Sequence, residues 1–283
     1  MARVPLPESK LRARRRRRRL FVLMFVFILC VLAVGGLALL ARASFLKITT
    51  VSVAGVETLA TSTLQSFVKE KMSGYYAYLF PKDDIFLYPR SGLAAAVLSA
   101  YPTLKSAEVQ AQDFHHIEVT VVERQPKALW CPLDASEAEG ACYFMDEEGV
   151  VYAPAPEFSA PVYISYRGPV AGLPAQAGDA LPKHYLSPPE FQSLSALADA
   201  LAHKVPTETL QSVSVDDHRD TRVRFINREA LHFDLLFSLD DEAGDVFERF
   251  ELALTAKPFV SRSLYDFEYL DLRFGDKLYY KLK

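Results

Sequence analysis

Apolar and polar positions recur with a readable period along most of this chain, and one stretch has no polar break. Residues 20–41, LFVLMFVFILCVLAVGGLALLA, run for 22 positions without a charge. As a helix rising about 1.5 Å per residue they reach about 33 Å, enough for the hydrocarbon core of a bilayer. Fifteen of the 22 are Leu, Ile, Val or Phe, which favours insertion by on the order of 5–9 kcal/mol. The pattern predicts a single transmembrane helix.

After a short linker at 42–47 the period changes. ITTVSVA (48–54) predicts a strand with Ile48, Val51 and Val53 as its apolar members, and Gly55 turns the chain. Ser62-x-x-Gln65 reads as a capping box opening a helix whose stripe is Leu64, Phe67, Val68 and Met72, stopped by Gly74. Leu93, Ala96, Val97 and Ala100 predict a second helix before Pro102. Two strands follow. SAEVQAQ puts Ala107, Val109 and Ala111 on one face, and IEVTVVER does the same with Ile117, Val119 and Val121. The order strand, helix, helix, strand, strand predicts a three-stranded sheet with both helices on one face.

Beyond residue 125 strands dominate. KALWC and CYFMD flank a cysteine loop, GVVYA follows a turn at Glu147 to Gly149, and a short strand is expected near PVYISY. Prolines at 154, 156, 161, 169, 174 and 182 predict an irregular connection. Pro188-Pro189-Glu190 opens a helix with the stripe Phe191, Leu194, Leu197, Ala198 and Leu201. SVSVDD, TRVRFIN and LHFDLLFSL read as three strands, and Asp245 to Lys257 as a helix carrying Phe247, Phe250 and Leu254. The closing FEYLDLRFGDKLYYKL reads as two strands around Gly275-Asp276, or as one long strand bent by that glycine. In it Leu270, Leu272 and Phe274 alternate with Tyr269, Asp271 and Arg273. The apolar set is expected to pack on the helix bearing Phe247 and Phe250. A terminal strand is also often an edge, whose free N–H and C=O groups can receive another chain.

Charge gives the transmembrane segment a direction. Residues 1–19 hold nine Lys/Arg (Arg3, Lys10, Arg12 and Arg14 to Arg19) against Glu8, whereas the residues after 41 hold 23 Lys/Arg against 34 Asp/Glu. The positive-inside rule places the N-terminus in the cytoplasm and the remainder outside. The arginine run adjoins the bilayer, so its nearest partner is anionic lipid rather than nucleic acid. Ala41 to Ser44 resembles a signal-peptidase site, but 22 apolar residues exceed the roughly 7–15 of a cleaved signal. Of three cysteines, Cys30 lies in the apolar segment, while Cys131 and Cys142 lie outside, where disulfides persist. A bridge across their ten-residue loop is expected, contributing about 2–3 kcal/mol. Two unrelated thiols are the bland alternative.

Reactive constellations are missing from the sequence. Ser44-x-x-Lys47 and Ser66-x-x-Lys69 match S-x-x-K without its companion elements. His115 and His116 point to opposite faces of a strand and cannot share an ion, and the other histidines are scattered. The acid pairs Asp83-Asp84, Asp216-Asp217 and Asp240-Asp241 fall in turn-like contexts that use acids for local hydrogen bonds. No enzyme, cofactor, metal, nucleic acid or small-molecule substrate is expected. A tethered outer part without chemistry points to binding of other proteins.

Three stretches, ITTVSVAGVETLATSTLQSFV, YPTLKSAEVQAQDFHHIEVTVVERQPKALW and YFMDEEGVVY, resemble the FtsQ/DivIB family of bacterial cell-division proteins. Val53-x-Gly55, Glu123-Arg124-x-Pro126-x-Ala128-x-Trp130 and Asp146-x-x-Gly149-x-Val151 carry the resemblance most specifically. It implies an α+β chain: a basic cytoplasmic tail (1–19), a transmembrane helix (20–41), a linker (42–47), a POTRA domain of β-α-α-β-β order (48–125) and a mostly antiparallel β domain with peripheral helices (126–283). The chain departs from the family pattern at His115-His116, where a proline often precedes the third POTRA strand. The resemblance implies a non-catalytic single-pass scaffold of the divisome in the cytoplasmic membrane at the division site. Its β domain would recruit FtsB/FtsL-type partners and link them to septal peptidoglycan synthesis. Carried onto this chain, the partner-binding positions are Tyr269, Leu270, Asp271, Leu272 and Arg273, with Tyr279 and Tyr280. The POTRA part would offer other divisome membrane proteins a second edge, at Ile48 to Val53 or at Leu104 to Gln110. A POTRA protein of translocation or envelope assembly is the alternative; it would bring POTRA repeats and a β-barrel, which the sequence lacks.

Overall fold

The structure is a computed structural model, and the residues it describes are 10–132, 142–159, 162–169, 181–205, 209–275 and 277–283. Helix α1 (Lys10–Ala41) ends where the apolar run ends but begins ten residues before it. Arginine is among the better helix formers and nothing in residues 10–19 breaks a helix, so the polar stretch continues the same rod. From residue 17 to Ala41 the helix is long and apolar enough to cross a membrane, and its large side chains from Leu20 to Leu40 are exposed. The chain then divides into two compact units, residues 1–123 and 124–283.

In the first unit the elements after α1 are β1 (Thr50–Ala54), α2 (Thr61–Lys71), β2 (Tyr75–Tyr76), β3 (Phe80–Pro81), α3 (Arg90–Ala100), β4 (Leu104–Ala111) and β5 (His116–Glu123). Strand β5 is central, parallel to β1 and antiparallel to β4. Its Ile117, Val119 and Val121 are fully buried and share one core with Leu64, Val68 and Met72 from α2 and its C-cap and with Leu93 and Val97 of α3. Both helices thus cover one face of the sheet. Gly55 sits at φ +83°, and a Cβ there would lie 2.0 Å from the Val121 carbonyl oxygen, so only glycine passes.

Two expectations change here. The N-cap of α2 is Ala60, without a side-chain cap, and Ser62 lies inside the helix rather than opening a capping box. The residues before the helix are held instead by the Glu123 carboxylate from the end of β5. It accepts the N–H groups of Glu57 (2.9 Å), Thr58 (3.0 Å) and Leu59 (3.2 Å) and the Thr58 hydroxyl. A distant acid therefore sets where the helix starts. The second change is the β2–β3 hairpin between the helices, which was not expected because two-residue strands have no alternation to read.

The second unit contains β6 (Ala128–Cys131), β7 (Tyr143–Met145), β8 (Val150–Pro154), β9 (Ser165–Arg167), β10 (Lys183–His184), α4 (Pro188–Lys204), β11 (Thr209–Val215), β12 (Asp220–Ile226), β13 (His232–Ser238), α5 (Ala243–Thr255), β14 (Phe267–Phe274) and β15 (Lys277–Leu282). All the strands join one sheet in the order β10-β8-β7-β6-β9-β11-β12-β13-β14-β15. The sheet is mixed: β6–β9, β9–β11 and β13–β14 are parallel. Parallel neighbours need a crossover, and α4 and α5 supply it before β11 and β14. The stripe Phe191, Leu194, Leu197, Ala198 and Leu201 is buried in one core with Val246 and Phe250 of α5.

The motif residues of this unit make specific contacts. Arg124 pairs with Asp146, whose Oδ1 also accepts the N–H groups of Glu148 and Val150, both at 2.9 Å. The Trp130 indole donates to the Gly168 carbonyl (3.1 Å). Gly149, at φ +76°, leaves room for the Phe191 ring, which a Cβ would meet at 2.6 Å. Cys131 and Cys142 form a disulfide between the ends of β6 and β7, with Cα atoms 4.4 Å apart; the loop at 133–141 lies outside the described residues.

Candidate functional site at the C-terminal sheet edge

Strands β14 and β15 pair antiparallel, so of the two readings of the closing stretch the two-strand one holds. Strand β14 pairs in parallel with β13 (Leu235 opposite Leu270) and antiparallel with β15 (Leu270 opposite Tyr280). The strand bearing Tyr269 to Arg273 is therefore hemmed on both sides, contrary to the expectation of an edge there. Among the described residues the sheet ends one strand further on, at β15, where five of six residues are exposed.

Core packing explains the buried half of β14. Leu270 and Leu272 join Phe267 and Phe250 in the core. Phe274 does not: a register irregularity between Asp271 and Phe274 turns it outward, where its ring meets Tyr279 at 5.0 Å. The Leu272 carbonyl is met by the Arg249 guanidinium of α5 (2.7 Å), itself paired with Asp241 (2.6 Å). Burial alone would make such a carbonyl costly, so α5 completes the strand's hydrogen bonding.

The opposite face is a charge lattice. Asp271 is 4% exposed and clasps its neighbour Arg273 with both oxygens, at 3.0 and 2.7 Å, while the third guanidinium nitrogen of Arg273 reaches Asp220 on β12. The Asp271 hydrogen bonds, reinforced by Asp220 against the cost of burial, raise the guanidinium pKa and hold it charged. Next to it, Asp234 of β13 takes Arg224 in a bidentate pair at 2.8 and 2.9 Å. Arg273 and Asp271 are thus engaged within the fold, and Tyr269 is half-buried.

Tyr279 and Tyr280 occupy the two sides of β15. Tyr280 stands edge-on to Phe259 and Phe267, with centroids 5.4 and 5.6 Å away, and closes the rim of the core. Tyr279 lies on the charged face, opposite Asp271. Lys281 pairs with Glu268 of β14 at 2.5 Å, and that hydrogen bond raises its pKa. Lys277, Lys281 and Lys283 are exposed along the edge. Their charge deters indiscriminate strand pairing, a common feature of natural edges. The sequence reading missed that these lysines mark the true edge; the signal was present, since Gly275 separates two alternating runs.

In the first unit the sheet has β1 and β4 at its edges, the two strands marked for a second docking surface. Elsewhere, the residues weighed for chemistry have local partners. His115 Nδ1 lies 3.0 Å from the Lys47 carbonyl oxygen, and His116 Nε2 lies 2.7 Å from the Ser52 hydroxyl. Ser66 and Lys69 are exposed on α2. Asp84 and Asp216 accept backbone N–H groups of their own turns. Among the described residues no group of three His, Cys, Asp or Glu is placed to hold a metal ion. Comparison of the sequence with protein-family models and with curated proteins returns no match.

Proposed function

We propose that this chain is a membrane-anchored, non-catalytic scaffold of FtsQ/DivIB type that gathers other proteins of the bacterial divisome. In this reading α1 spans the cytoplasmic membrane with its arginines on the cytoplasmic, anionic-lipid side, and residues 48–283 lie outside. Residues 48–125 act as a POTRA domain, a reading supported by the strand and helix order and by a central β5 flanked by β1 and β4. The second unit presents β15 to a strand from an FtsB/FtsL-type single-pass partner. Main-chain hydrogen bonds supply affinity, and Tyr279 and Tyr280 on alternate faces supply selectivity. Tyr269 to Arg273 position β15 from behind. The observation that carries the reading is a strand, β15, that among the described residues borders the sheet, paired only with β14 and exposed at five of its six residues.

The test is co-purification of the full chain in detergent with FtsB/FtsL-type proteins from its own cells. Tyr279→Ala combined with Lys281→Glu should reduce capture at least tenfold while leaving the melting temperature unchanged. A fluorescent fusion should concentrate at mid-cell. Undiminished capture by the double variant, or an even envelope signal, would reject the scaffold reading.

A further inference from the structure

The segment where α1 meets the first unit has a surface that the proposed scaffold does not use. Arg42, one residue past the helix, donates to the Tyr78 carbonyl (3.4 Å) and places its guanidinium 5.6 Å from the centre of the Tyr75 ring. Lys47 pairs with Asp83 (3.2 Å), the Ile48 N–H reaches the Asp83 carbonyl (2.8 Å), and the Ile85 N–H reaches that of Leu46 (2.9 Å). Residues 75–86, which include the β2–β3 hairpin, are therefore fastened to the first turn of chain after the helix.

These same residues hold apolar rings in the open. Tyr78 is 93% exposed, Phe86 72%, Phe45 57% and Tyr75 56%. From residue 42 to residue 123, every exposed large apolar side chain except Val122 belongs to positions 45, 75–79, 86–87 or 114. Phe114 belongs with them, since its ring lies 6.3 Å from that of Phe86. Single exposed apolar residues need no account, but their confinement to one boundary does. The hairpin turn adds a second sign. Ala77 and Tyr78 sit at φ 47° and 62°, in the left-handed region that Asn and Gly normally fill in such turns. Strain accepted at Tyr78 serves no contact made by its ring within the first unit's core. Lys82, 5.6 Å from the Tyr76 ring centre, and Arg42 interleave cations with the phenols. Rings with polar tips beside cations suit the headgroup layer.

We infer that the Tyr75–Pro81 hairpin, with Phe45 and Phe86, is a foot that rests in the headgroup layer of the bilayer and pins the first unit to the membrane surface. The occupant is lipid because the hairpin is bound to the residue that follows the spanning helix, so its distance from the bilayer is short and set by the fold. The inference rests on α1 spanning the membrane, and it is independent of what β15 binds.

The experiment uses the full chain with Cys30→Ser, leaving the bridged cysteines, in phosphatidylcholine–phosphatidylglycerol nanodiscs. An NBD fluorophore is attached at Ala77→Cys, at Leu32→Cys within α1, or at Glu70→Cys on the exposed side of α2. Quenching by lipid carrying a shallow doxyl group is compared with quenching by aqueous iodide. The label at 32 should be shielded from iodide, the label at 70 open to it, and the label at 77 quenched several-fold more by doxyl lipid than the label at 70. Adding Tyr75→Asp and Tyr78→Asp should return the label at 77 to iodide. If 32 is shielded while 77 behaves as 70 does, the foot is refuted and the anchor stands. If 32 is open to iodide, anchor and foot fall together.

Discussion

Glu123 holds the first unit together through one carboxylate. Four donors from Glu57 to Leu59 converge on it, and it is 8% exposed. Burial raises its pKa, but the hydrogen bonds from the Thr58 hydroxyl and the three backbone N–H groups outweigh that and hold it below the usual glutamate value. A carboxyl depressed in the folded state contributes stability above its unfolded pKa and loses it as pH falls through the folded value. Glu123→Gln should therefore destabilise the first unit by about 1–3 kcal/mol at pH 7. The difference from wild type should shrink as the pH falls from 5 towards 2, read by urea unfolding at each pH. An unchanged difference at pH 2 would mean that the charge is not the source. The neighbouring Arg124 binds Asp146, so adjacent residues of one motif serve different units. That pairing was invisible beforehand, since a motif names residues but not their partners.

Strands β14 and β15 have similar patterns and opposite roles. Each alternates ring, charge and aliphatic residues, yet β14 is interior and β15 is the border. Successive N–H groups of a strand point to opposite sides, so of Tyr279 and Tyr280 one faces β14 and the other faces away. Proline at the inward position removes a ladder hydrogen bond and should cost about 1–3 kcal/mol. Proline at the outward position should leave the melting temperature within about 1 °C of that of alanine at the same position and still lower partner capture below that alanine's, since only the guest would miss that donor. Equal capture by a folded outward variant would eliminate strand addition at this edge. The stripes of α4 and β5 were legible because burial on one side of a regular element imposes its period on the residues. The β2–β3 hairpin and the start of α2 were not, since short-range period says nothing of a contact 65 residues away.

Across the chain, helix α1 opens the first compact unit and the second compact unit follows it in sequence order. The disulfide ties β6 to β7 within the second unit and, by the length of the loop it closes, contributes about 2–3 kcal/mol. Reductant should therefore lower the melting of that unit by roughly 5–10 °C, followed through Trp130, the only tryptophan, which lies in the core and precedes Cys131 on β6. A reductant-insensitive Trp130 transition would mean that the bridge does not constrain unfolding. The apolar segment, the two-part organisation, the cysteine pair and most helices and strands follow from composition and period, because each depends on residues close together in the chain. Which strand lies at the border does not. Whether β14 or β15 ends the sheet depends on pairing between β13 and β14 across the intervening helix, and whether Phe274 faces core or solvent depends on the register irregularity between β14 and β15. An interior strand and an edge strand can carry the same alternation, and they differ only in whether a distant segment of the chain lies alongside.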